Sequence, residues 1–379
     1  MSISVNTSLA KNNGRIRLLE AHDRASKEVI RRTVSKDGKS FHGFWISGLT
    51  QTTHLGIPDT EIISPLKRAS LFNFDDHLYE NDKRPLCAAF DADSGGALTD
   101  IPALVAILAI KGVSMIIIED KALTEPGKKV NSLKETSGSQ LQADPHKFVK
   151  TLKAFKLASV GRDMLVTARI ESLTTRIAKK DPVEEQASIQ AALQDAQERA
   201  AIYKEGGADA IMIHSKAKEP DEILSFLRAF RAHDNATPLV VVPTTYSRTA
   251  RTTLYDAGAN VIIYANHLIR ARIKAVAPVT DKLLDEKPTL FANETELRAC
   301  VDAQNYAHLL NRLTEKILAG TGDKKAEEYR ALAERHAIEN MKTVVQDLVD
   351  GDLAGCEGDH RIIPVTELLK INARQVSVG

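Results

Sequence analysis

Acidic side chains stand at two places where a short apolar run of the sequence ends. Asp91 and Asp93 follow the run at residues 85–90, and Glu119 follows the run at residues 113–118. Three neighbouring carboxylates without partners repel one another, which raises their pKa values. A hard divalent cation relieves that repulsion, and carboxylate oxygens completed by water suit Mg2+. We therefore predict that Asp91, Asp93 and Glu119 hold a magnesium ion.

Cationic side chains come close to the same positions. Lys121 and Lys129 lie after the run that ends at Glu119, and Arg169 and His214 stand at the ends of two later runs. Charge-assisted hydrogen bonds from such groups bind anions strongly, particularly beside a metal ion. The pattern predicts a small substrate that carries carboxylate and phosphoryl groups. A purely structural network of ion pairs is the alternative interpretation.

The segment between Lys121 and Gln142 is long, polar and rich in glycine, serine and lysine. Loops of this length inside a compact domain are usually functional or disordered. Because the segment directly follows a predicted metal-binding strand end, we interpret it as an active-site lid. A lid would keep water away from a reactive phosphoryl group.

Eight apolar runs, separated by helix-like segments, must position these side chains. They cover residues 15–21, 42–46, 85–90, 113–118, 164–170, 208–213, 238–242 and 260–265. Most are continuously apolar, which is typical of strands buried on both faces of a parallel sheet. Eight units, with no glycine-rich dinucleotide-binding turn after the first, favour a (β/α)8 barrel over an open doubly wound sheet. Active sites of such α/β barrels lie at the C-terminal ends of the strands, where the candidate residues stand.

The sequence changes character after the eighth run. Residues 279–355 are rich in alanine, leucine, glutamate, lysine and arginine at helical spacing, without a strand-like run. We expect a catalytic barrel over residues 1–278 and a helical C-terminal extension over residues 279–379, packed at a subunit interface. A solvated cap without a functional role is the alternative. The apolar stretch at residues 361–372 is expected to dock onto the rest of the chain.

The composition excludes several classes of protein. Among 379 residues, 51 lysines and arginines face 50 acidic residues, and a net charge of +1 argues against coating nucleic acid or a membrane surface. No stretch approaches the roughly 20 apolar residues of a membrane span, and the polar start lacks the apolar core of a signal peptide. The three cysteines lie far apart, with neither a disulfide framework nor zinc spacing. We expect a cytoplasmic protein that binds neither nucleic acid nor membranes.

Short motifs at the predicted strand ends form a recognisable series. They are LLEAHD at 18–23, WISGL at 45–49, LGIPD at 55–59, DADSGG at 91–96, EDK at 119–121, KVNS at 129–132, ARIES at 168–172, IHSK at 213–216, PTTY at 243–246 and YANH at 264–267. In this order they resemble the phosphoenolpyruvate mutase branch of the isocitrate lyase superfamily. The resemblance covers about residues 14–280, with a weaker echo in IPVTELLKIN at 363–372.

The resemblance implies a fold and an activity. The fold is a (β/α)8 barrel whose eighth helix is exchanged between the subunits of a homodimer or homotetramer. The activity is the Mg2+-dependent interconversion of phosphoenolpyruvate and 3-phosphonopyruvate, which forms a carbon–phosphorus bond and opens phosphonate biosynthesis. The magnesium ion would be held by Asp91, Asp93 and Glu119, partly through water.

Roles in the pocket carry over position by position. Trp45, Ser47, Gly48 and Leu49 would line it, with backbone N–H groups and the serine hydroxyl facing the carboxylate and enolate end of the substrate. Asp59 matches a carboxylate with two proposed roles. It either accepts the phosphoryl group covalently or orients a metaphosphate-like species.

The remaining roles concern the anionic ends of the substrate. Arg169, with His214 beside it, would bind the anionic substrate. Lys129, Asn131 and Ser132 come from the predicted lid and would contact the phosphoryl group.

The lid departs from the family pattern in its spacing. Seven residues, 122–128, separate EDK from KVNS, more than the short Phe-Pro linker of the family, so both Lys128 and Lys129 are candidates. The Lys-x-Asn-Ser register favours Lys129. Carbon–carbon lyases of the superfamily carry a Lys-Lys-Cys-Gly-His loop whose cysteine is the acid–base group. Here Val130 follows the lysine pair, and no cysteine lies between Cys87 and Cys300.

Two further alternatives remain open. Phosphonopyruvate hydrolase gives the phosphoryl group to water, and its lid tends to carry threonine where this chain has Asn131, which favours the mutase. A catalytically silent scaffold barrel is expected to have lost one of the matched site residues. All of them are present: Asp59, Asp91, Glu119, Lys129 and Arg169.

Overall fold

Eight parallel strands form a closed barrel in the computed structural model, which describes residues 2–74, 84–122, 129–132, 141–286, 324–355 and 359–374. The strands are β1 (Ile16–Glu20), β2 (Gly43–Ile46), β3 (Cys87–Asp91), β4 (Met115–Glu119), β5 (Leu165–Ile170), β6 (Ala210–Ile213), β7 (Leu239–Val241) and β8 (Val261–Tyr264). They pair in chain order, and Ile16 opposite Val261 closes the barrel. Each of the eight apolar runs is therefore a strand, and the predicted barrel is confirmed.

Both faces of the sheet are buried, which explains why the strands are continuously apolar. Successive strand side chains point to opposite faces. Leu18 and Ile117 belong to the cluster inside the barrel, while Leu19 and Ile116 belong to the layer between the strands and the surrounding helices. Every strand position is buried.

Helices surround the strands. They are α1 (Val5–Lys11), α2 (Arg24–Arg32), α3 (Gly48–Leu55), α4 (Pro65–Leu71), α5 (Ile101–Ile110), α6 (Pro145–Ala158), α7 (Ser172–Thr175), α8 (Pro182–Glu205), α9 (Asp221–Arg231), α10 (Arg251–Asp256), α11 (His267–Glu286), α12 (Lys324–Asp350) and α13 (Val365–Arg374). A 3-10 turn, Leu98–Asp100, precedes α5. None of the described helices is long and apolar enough to cross a membrane.

Local sequence signals set several helix ends. Asp23 caps α2 by accepting a hydrogen bond from the Ser26 N–H, and the Asp23 N–H donates in turn to the Ser26 hydroxyl oxygen. Pro182 begins α8 directly after its cap, Asp181. Gly207 follows α8 with φ of +103°, a left-handed conformation that glycine adopts without strain as the chain turns towards β6.

The helix α12 completes the outer layer over the seam between β1 and β8. Its buried residues Met341 and Val345 join the main core. The side chains of Arg17 and Arg251 both donate to the Leu348 carbonyl, at 3.3 and 3.2 Å. The preceding helix, α11, runs through the expected domain boundary between residues 278 and 279. The interface role of the extension and the exchange of a helix between subunits stay predictions.

The last helix, α13, packs on α3 and α11. Leu368 and Ile371 join Leu49 and Ile269 in a separate apolar cluster. The Arg270 side chain donates to the Ile363 carbonyl at 2.6 Å. The stretch at residues 361–372 therefore docks on the barrel beside α3, whose N-terminus reaches the strand ends.

Candidate active site

Two predicted metal ligands, Asp91 and Asp93, lie against the start of α3. Asp91 ends β3, and its carboxylate accepts hydrogen bonds from the Gly48 N–H at 3.1 Å and the Asp93 N–H at 3.2 Å. A Cβ on Gly48 would lie 2.9 Å from Asp93 Oδ1 and 3.2 Å from Asp91 Oδ2. Glycine at position 48 thus lets the backbone approach both carboxylates.

Asp93 is held by a buried arginine that the sequence analysis did not select. Arg68, on α4, places Nε 3.1 Å and Nη2 2.6 Å from Asp93 Oδ2, and it also donates to the Asp91 carbonyl. Burial opposes ionisation of Asp93, but Arg68 and Lys129 outweigh it and hold its pKa below the usual range. Arg68 follows no strand, so the strand-end pattern could not indicate it.

Lys129 lies inside the carboxylate cluster. Its Nζ donates to Asp93 Oδ1 and lies 3.5 Å from Glu119 Oε1 and 3.8 Å from Asp59 Oδ1. Burial alone would lower the pKa of Lys129, but the three carboxylates hold it well above the usual value. The ammonium therefore occupies the position of a cation among the acids. The alternative candidate, Lys128, lies outside the described residues.

Glu119 and Asp91 offer the oxygens best suited to a metal. Among the described residues, no contact to the Glu119 carboxylate oxygens has the geometry of a hydrogen bond. The carboxylate lies 3.3 Å from Arg169 Nη2 and 3.5 Å from Lys121 Nζ. Burial opposes its ionisation, but Lys121, Lys129 and Arg169 outweigh it and keep its pKa far below normal. Burial, and then Asp93, raises the pKa of Asp91. This all-oxygen donor set fits a hard divalent cation.

Arg169 connects the barrel to the described part of the predicted lid. Its Nη2 donates to Ser132 Oγ at 2.7 Å and lies 2.5 Å from Glu171 Oε1. Ser132 also accepts a hydrogen bond from Lys121, which donates to the Val130 carbonyl at 3.0 Å as well. Two cations thus converge on one serine hydroxyl. The rest of the predicted lid, residues 123–128 and 133–140, lies outside the described residues.

His214 stands beside Arg169 as a neutral imidazole. Burial and then Arg169 lower the pKa of His214 to about 4. Its Nδ1 is 4.0 Å from Glu171 Oε2. Glu171 is the counter-ion that places the Arg169 guanidinium. Glu171 was not among the predicted site residues, although it stands at a strand end in the motif ARIES.

Asp59 is fixed from both sides. Asn131 Nδ2 donates to its Oδ2 at 2.6 Å, while its backbone N–H donates to Asn372 Oδ1 at 2.8 Å. Asn372 comes from α13 and donates in turn to Thr53 Oγ1 at 3.1 Å and the Ile57 carbonyl at 3.2 Å. The sequence analysis did not select Asn372 as a site residue. The motif at residues 363–372 was the available signal.

These groups surround a pocket at the C-terminal ends of the strands, with an empty volume of about 530 Å³ including its mouth. Its lining residues are Trp45, Ser47, Leu49, Asp59, Asp91, Glu119, Lys129, Asn131, Ser132, Arg169, Met212, His214, Val242, Thr244, Ala265 and Asn266. Three predicted site residues, Gly48, Asp93 and Lys121, lie behind the lining and hold Asp91, Lys129 and Ser132. Thr244 and Asn266 have the strand-end position as their signal, whereas Met212, inside β6, has none.

The fold and the pocket define the class of protein. A closed (β/α)8 barrel with a pocket of ionisable side chains at its C-terminal strand ends is the architecture of an enzyme. Residues 7–284 match the family described as phosphoenolpyruvate phosphomutase. The chain belongs to this family, within the phosphoenolpyruvate mutase/isocitrate lyase superfamily of enzymes.

Similar proteins include phosphomutases, a hydrolase and a 2,3-dimethylmalate lyase. The phosphoenolpyruvate phosphomutase of Tetrahymena pyriformis is 29% identical over 271 residues, 71% of this chain and 79% of that protein. The phosphonopyruvate hydrolase of Variovorax sp. (strain Pal2) is 31% identical over 240 residues, 63% of this chain and 74% of that protein. A solved phosphoenolpyruvate phosphomutase from Streptomyces platensis subsp. rosaceus is 27% identical with a TM-score of 0.59, covering 81% of this chain and 97% of that one. Because a phosphomutase and the hydrolase occur at similar identity, the reaction is argued from the site.

Proposed function

We propose that the protein is a Mg2+-dependent phosphoenolpyruvate mutase that interconverts phosphoenolpyruvate and 3-phosphonopyruvate. The hydrogen bond between Asn131 and Asp59 carries the proposal. It places an amide, a carboxylate and the Lys129 ammonium side by side at the pocket wall. Asn131 is also the position at which the hydrolase pattern has threonine.

The reaction makes few demands on proton transfer. The phosphoryl group leaves the enolate oxygen of phosphoenolpyruvate, and the methylene carbon of the same enolate recaptures it. One oxygen–phosphorus bond breaks and one carbon–phosphorus bond forms, with no proton gained or lost. The site must therefore hold two anionic fragments in register and exclude water. A neutral His214, whose pKa is lowered to about 4, suits a role in binding rather than in acid catalysis.

The chain offers a separate group for each fragment. Arg169 would bind the carboxylate end, with the hydroxyl of Ser47 beside it. Lys129, Asn131 and Ser132 would hold the phosphoryl group against Asp59. In this arrangement Asp59 either accepts the phosphoryl group covalently or orients it during its transfer from oxygen to carbon. Both routes need the Asp59 carboxylate at the same place.

The proposed Mg2+ would be held by Asp91 and Glu119, directly or through water, with Asp93 behind them in its ion pair with Arg68. When bound, it would stabilise the negative charge that develops on the enolate oxygen. Lys129 would then leave the carboxylate cluster and turn to the phosphoryl group. The donor set supports this, since the Glu119 oxygens accept no aligned hydrogen bond among the described residues, although three cations surround them.

Phosphonopyruvate hydrolysis is the second candidate, favoured by the 31% identity to a hydrolase. It uses the same anion and cation sites but requires a water molecule at the phosphoryl group. The carbon–carbon lyase alternative lacks its acid–base cysteine, because the sequence has none between Cys87 and Cys300.

Phosphorus NMR separates these reactions. Purified protein with Mg2+ and phosphonopyruvate is expected to produce phosphoenolpyruvate, and the Asp59→Ala variant is expected to produce none. Inorganic phosphate with pyruvate would assign the protein as the hydrolase. A fully active Asp59→Ala protein would disprove the proposed site. We further propose that the protein acts in the cytoplasm on this small anion and binds neither nucleic acid nor membranes.

A further inference from the structure

A second group of metal-binding side chain types lies outside the pocket. His22 follows β1, Asp23 caps α2, and His54 stands on the last turn of α3. Each offers one ligand atom, and these atoms lie within 4.8 Å of one another. His22 is buried, while Asp23 and His54 are partly exposed, so that solvent reaches one side of the group. None of the three lines the pocket described above.

The orientation of His22 is fixed by Glu20. The His22 Nδ1 lies 2.6 Å from Glu20 Oε1, and the other carboxylate oxygen accepts the N–H groups of Leu268 and Ile269, both at 2.9 Å. A carboxylate that accepts these bonds is ionised and cannot donate, so the imidazole proton lies on Nδ1. The Nε2 lone pair therefore points away from Glu20. A carboxylate that orients a histidine in this way is a recurrent partner of metal-bound imidazole.

Among the described residues, the Nε2 atom of His22 faces the carboxylate of Asp23 and no hydrogen-bond donor. This nitrogen is buried and lies 3.9 Å from Asp23 Oδ2. An unprotonated Nε2 and a carboxylate at this distance repel each other unless a proton or a metal cation lies between them. The ring of His54 completes the arrangement, with its centroid 5.3 Å from that of His22.

The charges leave room for a cation. Glu20 and Asp23 carry two negative charges, and the nearby cation is Arg272 on α11, which donates to Asp23 Oδ2. The other oxygen of Asp23 is engaged by the cap of α2. His54 stands on the last turn of α3 and is partly exposed, so its imidazole is accessible to an incoming metal ion.

We propose that His22, Asp23 and His54 form a binding site for a divalent transition metal of the Zn2+ type. Two neutral imidazoles and one carboxylate suit Zn2+, Co2+ or Ni2+ far better than Mg2+, which prefers oxygen ligands. The metal takes the place of the Arg272 guanidinium at Asp23 Oδ2, and solvent supplies its fourth ligand. Bound there, it ties the end of α3 to the start of α2.

Calorimetric titration of the full-length protein with Zn2+, in excess Mg2+, tests the site. The wild-type protein is expected to bind one equivalent of Zn2+ that the His54→Gln variant does not bind. If the variant still binds this equivalent, its affinity is expected to be lower by more than the roughly 10–100-fold typical of losing an outer partner of a metal ligand. The matched control, His233→Gln, changes an exposed histidine outside the group and is expected to leave the titration unchanged. Arg272→Gln is expected to tighten binding, because it removes the competing guanidinium.

Thermal unfolding gives a second measurement that does not depend on catalysis. Zn2+ is expected to raise the melting temperature of the wild-type protein more than that of His54→Gln. Equal Zn2+ binding and equal stabilisation in both proteins would overturn the proposal and leave a protonated hydrogen-bonded network at His22. Neither measurement uses turnover. A negative result for the metal site can therefore be told apart from a failure of the proposed mutase activity.

Discussion

Lys129 balances three buried carboxylates that would otherwise face one another without a cation between them. Its Nζ contacts Asp93 and lies within 3.8 Å of both Glu119 and Asp59. A lysine in this position has two alternative partners, the acids or a bound phosphoryl group. In the proposed reaction, its side chain would couple the binding of a metal among the acids to the binding of the substrate phosphoryl group.

The Lys129→Ala variant tests this coupling. Turnover is expected to fall at least about 10²–10³-fold, as for the loss of one donor to a transition state. Mg2+ is expected to bind more tightly, because the competing ammonium is gone. Steady-state kinetics and Mg2+ titration measure the two effects. Lys147→Ala, at an exposed position, should change neither, and unchanged turnover in Lys129→Ala would contradict the assignment.

Asn131 is proposed to separate mutase from hydrolase chemistry. The variant Asn131→Thr loses the 2.6 Å hydrogen bond to Asp59 Oδ2 and leaves space for water beside the phosphoryl group. We expect slower formation of phosphoenolpyruvate and a larger share of inorganic phosphate, both measured by phosphorus NMR. An unchanged product ratio would show that Asn131 does not control access of water.

At the scale of elements, α13 belongs to the active site although it carries no residue of the pocket wall. Its Asn372 bridges the Asp59 N–H, the Thr53 hydroxyl and the Ile57 carbonyl. These bonds fix the turn after α3 that presents Asp59. Asn372 is thus a positioning residue whose loss affects the orientation of a carboxylate rather than its chemistry.

For Asn372→Ala we expect a lower kcat with a nearly unchanged KM, because the binding groups Arg169 and Ser132 stay in place. The unpaired Asp59 N–H should also cost roughly 1–3 kcal/mol of stability. Kinetics and urea unfolding measure the two effects. Lys370→Ala, exposed on the same helix, is the matched control. A change in KM alone would contradict a positioning role.

The sequence predicts elements better than it predicts the contacts between distant elements. The eight strands follow from continuous apolar runs, and most of the pocket follows from the residues at their ends, since parallel strands in a barrel bring those ends together. Arg68 and Asn372 could not be found this way. Each lies on a helix, and Asn372 is separated from Asp59 by 313 positions. Their roles depend on packing angles that no local pattern encodes.

At the scale of the whole molecule, a net charge of +1 conceals a strong local separation of charge. Acids and cations meet at the C-terminal end of the barrel, while the opposite end is closed by α1, whose Val5 and Leu9 join the apolar interior cluster. Several histidines are also buried in the fold. Their burial makes the stability of the entire chain dependent on pH.

Acid is expected to destabilise the fold through these histidines. Burial, and then Arg84, lowers the pKa of His42 to about 4, and burial, followed by Arg270, lowers that of His267 to about 3. Between these values and about 6.5 the unfolded chain binds more protons, so stability falls as the pH falls through this window, by up to about 1.4 kcal/mol per pH unit for each histidine. Urea unfolding at pH 7 and pH 5 measures the loss. His267→Gln should reduce the slope, and an identical slope would contradict this origin.

The proposed assembly is also a property of the whole molecule. We expect a homodimer or homotetramer in which the region after residue 279 contributes to the interface and a helix is exchanged. Light scattering on the full chain measures the mass. A monomer, or an assembly unchanged when residues 320–355 are deleted, would count against this role.

The bond between Asp59 and Asn372 also bears on the order of events during translation. The ribosome must add 313 residues after Asp59 before the side chain that holds its backbone exists. A nascent chain can therefore complete all eight strands and still present Asp59 in a loose turn. Because Asn372 holds the backbone of Asp59, a translation product that ends before α13 is expected to be less active than the chain that includes it.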